Sequence, residues 1–274
     1  MKNFIVPVDF SPASYNAALF AGELAAFYDA DIWLYHTYET PVAISEIAYP
    51  LFDNEEMKAA ANDELEILKA KTLENLKTTI TINTKAEMNS LQDGLTKLCD
   101  EQDPELVVMG LSGSGALRQL LVGSNTIRAI HYLSYPVLVV PKEAKFTPVQ
   151  KIGFACDYRE IDVTGPVPLL KKVTADFNAE LHILNVDFQN KNFTAEQVNE
   201  SFVLRELIDD VHPKYHSIES DDITQGINWF AEKEKLDWIA VIPKTHPAVQ
   251  IMFGRSHTKH LLFHTHLPVL CLHQ

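Results

Sequence analysis

Two pairs of small residues in the first half of the chain have a spacing that suits phosphate binding. Gly110 and Gly113 follow a short apolar run directly, and nine residues separate Gly113 from the pair Gly123 and Ser124. Because glycine has no Cβ, the backbone can approach an oxyanion closely, and the amides at the start of a following helix point toward negative charge. A strand, a glycine-rich loop and a helix in this order predict a phosphate-binding site.

A carboxylate belongs to the same set of candidate residues. The chain opens with a short apolar run that ends in Asp9, which is typical of a buried parallel strand that brings an acidic side chain to its carboxyl end. Ser11 and Pro12 then predict the cap and the first residue of a helix. Asp9 could bind a ligand or cap that helix, and the glycine loop favours the ligand. His36, at the end of the second strand, is interpreted as an edge histidine rather than a general base.

The elements that must position these residues alternate between strands and helices. Predicted strands of the first half cover residues 3–9, 31–36, 79–86, 105–109 and 136–140, and predicted helices cover 12–28, 55–77, 90–102 and 116–133. This alternation is typical of an open parallel sheet with helices on both faces.

The pattern then restarts, which indicates an internal duplication. Residues 151–157 repeat the first strand and its carboxylate as Asp157, and residues 267–272 repeat 135–140. The offset is 148 residues at the aspartates but 132 at the last strands, so we expect the second copy to be shorter after its second strand. The predicted organisation is a domain at 1–143, a linker at 144–150 and a second domain at 151–274.

The second copy lacks the glycine loop. It reads Val-Ile-Pro-Lys-Thr at 241–245 where the first copy reads Met-Gly-Leu-Ser-Gly, and Pro243 removes an amide donor. Asp157 is therefore interpreted as a helix cap. We expect this half to be a structural partner or to hold a different ligand.

These motifs resemble the nucleotide-binding motif of the universal stress protein family. The resemblance lies in Gly110, Gly113, Gly123 and Ser124, in the Val-Pro-Val-Asp start at 6–9 and in Leu-Tyr-His at 34–36. The resemblance extends over almost the whole chain, because each half resembles the family separately. It implies two tandem, open, parallel five-stranded α/β sandwiches, Rossmann-like and similar to the adenine nucleotide alpha hydrolases. Because each last strand would otherwise be an exposed edge, we expect 137–140 and 269–272 to pair and make an intramolecular pseudo-dimer.

The resemblance also implies ATP or a related adenine nucleotide, with or without Mg²⁺, across the carboxyl edge of the first sheet. Adenine and ribose would lie against Pro7, Val8, Asp9, Thr37 and Met109. The ribose and phosphates would be held by Gly110, Gly113, Gly123, Ser124 and Asn125.

Composition restricts the other partners. The net charge is −14, and 20 acidic against 10 basic residues lie in 1–143, which disfavours nucleic acid and anionic lipid. We expect no membrane span, no cleaved leader and a cytoplasmic location.

The three distant cysteines predict no disulfide framework. Three histidines with the spacing of one helix face, His257, His260 and His264, are weak candidates for zinc, and we expect no metal there.

Three functions remain open at this point. The first is a nucleotide-binding module for stress response or signalling, with an unknown protein partner and self-association left open. The second is a slow ATP hydrolase, which is disfavoured because there is neither a P-loop lysine motif nor a carboxylate pair for a metal. The third is a scaffold that binds no ligand.

Overall fold

The computed structural model describes residues 2–39, 54–111, 124–158, 165–187, 195–243, 261–262 and 265–273. The first half contains strands β1 (Asn3–Pro7), β2 (Asp31–Tyr38), β3 (Ile82–Met88), β4 (Leu106–Leu111) and β5 (Val137–Pro141), and helices α1 (Pro12–Tyr28), α2 (Asn54–Asn75), α3 (Leu91–Gln102) and α4 (Ser124–Tyr132). The second half contains strands β6 (Lys151–Ala155), β7 (Glu180–Asp187), β8 (Lys214–Glu219), β9 (Trp238–Val241) and β10 (Val269–Cys271), and helices α5 (Pro166–Asp176), α6 (Ala195–Ile208) and α7 (Ile223–Glu234).

Across these described ranges the strands form one ten-stranded sheet, in the order β3-β2-β1-β4-β5-β10-β9-β6-β7-β8. All strand pairs within a half are parallel. From the centre outward, each half presents its fifth, fourth, first, second and third strand. The α/β fold with a parallel sheet and the repetition of one five-stranded unit are therefore confirmed.

The two halves meet through their last strands. β5 and β10 pair antiparallel, with Val139 opposite Val269 and Val137 opposite Cys271. The predicted pairing of 137–140 with 269–272 is thus confirmed. It places both strands in the middle of the sheet, where their backbone groups are hydrogen bonded on both sides.

Alternate strand residues supply two cores, one on each face of the sheet. In β1, Phe4 and Val6 are fully buried against α1 and α2, whereas Ile5 is fully buried in the opposite core with residues of α3 and α4. Fully burying a side chain of this size stabilises the fold by about 1.5–3 kcal/mol. Burial on both faces explains why these strands are apolar throughout instead of alternating.

An aromatic cluster joins the halves on the α1 side of the sheet. Phe27 of α1 stacks on Phe177, which follows α5, with ring centroids 4.4 Å apart. Phe146, in the segment that connects the halves, packs edge-on against Phe20 at 5.5 Å. Phe177 also contacts Trp238 of β9 at 5.7 Å. The ring of Phe146 also lies 6.3 Å from that of Phe177, so the connecting segment packs against both halves.

Several predicted boundaries are wrong. β2 continues to Tyr38 and β4 to Leu111, so Thr37 and Gly110 lie within strands and not in the loops after them. β3 starts at Ile82 instead of residue 79. Of the predicted helix 116–133, the part before α4 lies outside the described residues.

The shortening of the second copy is located where we expected it. The connection from β2 to β3 has 43 residues and that from β7 to β8 has 26. α2 has 22 residues, whereas α6 has 14. The sequence did not reveal α6 and β8 themselves. Among the described residues, no helix combines the length and apolarity needed to cross a membrane.

Candidate functional site

The predicted site residues of β1, β2 and β4 lie at one edge of the sheet. β1 pairs with β2 on one side and with β4 on the other. The carboxyl ends of these three parallel strands carry Asp9, Thr37 and Gly110. In an open α/β sheet this edge is where ligands bind, because the crossover connections diverge there and leave a crevice.

Asp9 is exposed and held by the start of α1. Its Oδ1 accepts a hydrogen bond from the amide of Ser11 at 3.1 Å, and its own amide donates to Ser14 Oγ at 3.4 Å. Phe10, between them, has a φ of 59°, which makes the tight turn into the helix. Partial burial raises the pKa of Asp9, but the hydrogen bonds from Ser11 and Ser14 outweigh that effect and the pKa is lowered.

The backbone of Val8 is already occupied. Its amide donates to the carbonyl of Tyr35 at 2.8 Å, and its carbonyl oxygen lies 2.8 Å from Nδ1 of His36. Because a carbonyl only accepts, Nδ1 of His36 is the donor. The backbone of Val8, which we expect to face the adenine and ribose, is therefore held in place by Tyr35 and His36. His36 also packs on Phe10 with ring centroids 4.5 Å apart, as an edge histidine would.

Thr37 and Met109 face the opposite side of the sheet from His36. Met109 is only 4% exposed and belongs to the core with α3 and α4. Pro7 is also buried. Thr37 is partly buried, and its Cγ2 lies beside the start of α3 near Gly94. These side chains form an apolar floor below the edge.

Gly110 has a packing role that the sequence did not reveal. A Cβ at this position would lie 2.4 Å from the carbonyl oxygen of Ala13, in the first turn of α1. The absence of a side chain therefore lets α1 approach β4 closely. The Gly110 carbonyl accepts a hydrogen bond from Thr126 Oγ1 at 3.0 Å, and this bond anchors the first turn of α4 at the same edge.

The remaining predicted residues are only partly described. Ser124 is the first residue of α4, and Asn125 follows it as an exposed residue. Gly113 and Gly123 lie outside the described residues, as do His257, His260 and His264. We did not predict the contacts of Ser14 with Asp9 and of Thr126 with Gly110. A hydroxyl three residues after a serine cap, and a hydroxyl in the first turn of a helix, are sequence signals of such contacts.

The corresponding edge of the second half differs. Asp157 is exposed and precedes Tyr158, whose φ of 52° repeats that of Phe10. Ile242 stands where the first half has Gly110, and α5 begins at Pro166 without a side-chain cap. A helix start as close as that of α1 would collide with the Ile242 side chain. The second half has therefore kept the strand and the carboxylate but not the close helix start.

The fold and the site place the chain among doubly wound α/β proteins, which bind ligands at the carboxyl ends of their strands. The sequence profile of the Universal stress protein family matches residues 1–141. The chain belongs to the universal stress protein family.

Individual relatives agree with this assignment. A universal stress protein of Mycolicibacterium smegmatis is 30% identical over 138 residues, which are 50% of this chain and 47% of that protein. The chain thus spans about half the length of this curated relative. One from Methanocaldococcus jannaschii is 26% identical over 53% of this chain and 84% of its own length. The crystal structure of a universal stress protein from Archaeoglobus fulgidus has a TM-score of 0.71 at 17% identity and covers 98% of this chain and 97% of its own. That last similarity shows that the fold extends over both halves.

Proposed function

We propose that the first half binds an adenine nucleotide, with ATP as the candidate, and that the protein acts in the cytoplasm as a stress-response or signalling module. The observation that carries this proposal is the position of Asp9. Its carboxylate is exposed at the carboxyl end of β1, beside the strand whose Gly110 anchors the start of α4. An acceptor for hydroxyls therefore lies next to a helix N-terminus that suits phosphates.

Each part of the nucleotide has a matching surface in this proposal. The lowered pKa keeps Asp9 ionised, so it can accept hydrogen bonds from ribose hydroxyls, and such charged bonds are worth about 1.5–3 kcal/mol. Thr37 and the apolar floor with Met109 suit the flat base. The phosphates would lie toward Ser124 and Asn125, together with Gly113 and Gly123, and Mg²⁺ would bind through the phosphate oxygens.

We propose a binding module rather than an enzyme. Asp9 is the acidic group that would have to activate a water molecule. Hydrogen bonds from Ser11 and Ser14 stabilise its charged form, and a carboxylate with a lowered pKa is a weak general base. Nucleotide occupancy would then change the contacts of the protein with a partner protein, while the second half would bind no triphosphate.

The test compares equivalent carboxylates in the two halves. The protein is stripped of carried-over ligand, and its unfolding is followed with and without millimolar ATP and Mg²⁺. At 100 times the dissociation constant we expect a stabilisation of about 2.7 kcal/mol. Asp9→Asn should weaken ATP binding at least about ten-fold, because it removes a charged acceptor. Asp157→Asn, at the matching position, should leave binding unchanged.

Two results would redirect the proposal. Wild-type protein that shows neither a shift in millimolar ATP nor a co-purified adenine nucleotide would favour the ligand-free scaffold. Multiple turnovers of ATP that Asp9→Ala abolishes would favour the hydrolase.

A further inference from the structure

The last residues of the chain contact the helix that starts beside the candidate site. Nε2 of His273 lies 2.7 Å from the carbonyl oxygen of Ile130, in the last turn of α4. Because a carbonyl only accepts, Nε2 carries the proton and donates it. The last four carbonyl oxygens of a helix, of which Ile130 supplies one, have no partner within that helix. His273 therefore caps the C-terminal end of α4 from the other half of the protein.

The sheet determines where this histidine lies. β10 runs antiparallel to β5 with Cys271 opposite Val137, so His273 reaches the turn between α4 and β5. Burial lowers the pKa of His273 more than the carbonyls of Ile130 and Tyr135 raise it, so the ring is neutral at pH 7. Its buried Nδ1 has no hydrogen-bond partner within the part of the chain that the structure describes. The ring is thus held by its packing and by its hydrogen bond to Ile130.

α4 is fixed at both of its ends. At its start, Thr126 Oγ1 donates to the carbonyl of Gly110 at 3.0 Å, and at its end Ile130 accepts from His273. The helix has nine residues, and isolated helices of this length are marginal in water. Its position therefore depends on these anchors and on the buried Ala129 and Ile130.

The first half has a different residue at the position that corresponds to His273. Because residues 135–140 repeat at 267–272, the counterpart of His273 in the first half is Pro141. Proline has neither a backbone N–H nor a side-chain donor. Pro141 therefore cannot donate a hydrogen bond of the kind that His273 donates to Ile130. The half without the glycine loop supports the half that has it.

We propose that His273 is a positioning residue for the ligand site of the first half. By holding the end of α4, it sets where the N-terminus of that helix, with Ser124 and Asn125, meets the phosphates. This inference rests on the proposed nucleotide function. It gives the second half a role in the ligand site of the first half.

The experiment uses the full chain and three variants. His273→Gln keeps an N–H near the position of Nε2, His273→Leu removes it at similar volume, and His266→Leu changes an exposed histidine of the same half as a control. ATP affinity is measured by calorimetric titration, and backbone hydrogen exchange is measured without ligand. We expect His273→Leu to weaken ATP binding about five-fold, the scale of one hydrogen bond, and to speed exchange in α4. His273→Gln should restore both, and His266→Leu should change neither.

The outcomes separate this inference from the proposed function. If the wild type binds ATP and His273→Leu binds equally tightly, or His273→Gln binds no better than His273→Leu, the positioning role is wrong. If the wild type does not bind ATP, the proposed function fails by itself. Hydrogen exchange then decides whether His273 fixes α4, and unchanged protection in His273→Leu would overturn that as well.

Discussion

Gly110→Ala tests whether the close approach of α1 to β4 requires a glycine. The added Cβ would lie 2.4 Å from the carbonyl oxygen and 2.6 Å from the carbonyl carbon of Ala13, and 3.0 Å from the amide nitrogen of Ser14. All three atoms belong to the backbone, so no rotamer change can relieve the contact, and the first turn of α1 must shift. Overpacking of this kind costs about 1–3 kcal/mol. Replacing glycine by alanine also makes the unfolded chain less flexible and returns about 0.4–1 kcal/mol. We expect a net loss of about 1–2 kcal/mol.

Gly153→Ala is the matched control. A Cβ at Gly153 would lie 2.5 Å from Cδ1 of Leu236 and 3.0 Å from Cδ1 of Leu184. These atoms are the ends of flexible side chains, which can rotate away. Urea unfolding of both variants and the wild type gives the comparison. We expect Gly153→Ala to cost less than about 1 kcal/mol.

The nucleotide site adds a second measurement. Ser14 belongs to the displaced turn, and its hydroxyl accepts a hydrogen bond from the amide of Asp9, so Gly110→Ala should also weaken ATP binding. If Gly110→Ala destabilises the protein no more than Gly153→Ala does, the packing argument is refuted. The same packing means that larger substitutions at Gly110 cannot serve as a pure test of phosphate binding.

Three further perturbations have defined outcomes. Gly94→Ala would bring a Cβ within 2.1 Å of the Tyr35 hydroxyl, which hydrogen bonds to Glu87 at 3.2 Å. Urea unfolding should show a loss of stability of about 1–3 kcal/mol, and an unchanged unfolding midpoint would contradict the contact. Burial lowers the pKa of His182, so this side chain binds fewer protons in the folded state than in the unfolded state. Its contribution to stability is fully present above pH about 6.5 and is lost as the pH falls below that value. His182→Gln should therefore show a shallower fall of the melting temperature between pH 7 and 5, and an equally steep fall would exclude this histidine as a cause. Phe177→Ala removes the centre of the aromatic cluster between the halves. Because the ring is only partly buried, the free energy of unfolding measured by calorimetry should fall by up to about 3 kcal/mol. A change below about 0.5 kcal/mol would show that the cluster does not stabilise the protein.

The fold could be predicted because its signals are local or repeated. The apolar run before Asp9 and its copy before Asp157 identify buried parallel strands, and Ser11 with Pro12 identifies the start of α1. The pairing of β5 with β10 followed from the need to cover two exposed edge strands, whereas its antiparallel direction came from the structure. β8 escaped prediction because only Ile218 among its six residues is buried.

The site was predicted less completely because its contacts join distant segments. The clash that requires glycine at position 110 involves Ala13, almost a hundred residues earlier in the chain. The bond between His273 and Ile130 spans a sequence separation of 143. No local pattern encodes such a pair, whereas Asp9 and Ser11 are neighbours and could be recognised from the sequence.

The covalent link between the paired halves also changes how their interface responds to the amount of protein. Two separate chains that meet through an edge strand dissociate on dilution, so their pairing follows their expression level. Here Phe146 and the residues around it tie β5 to the second half, and short linkers hold such partners at effective concentrations on the order of millimolar. The ten-stranded sheet therefore forms at any cellular concentration. Since the halves no longer have to be identical, the sequence of each half can diverge while the two halves stay paired.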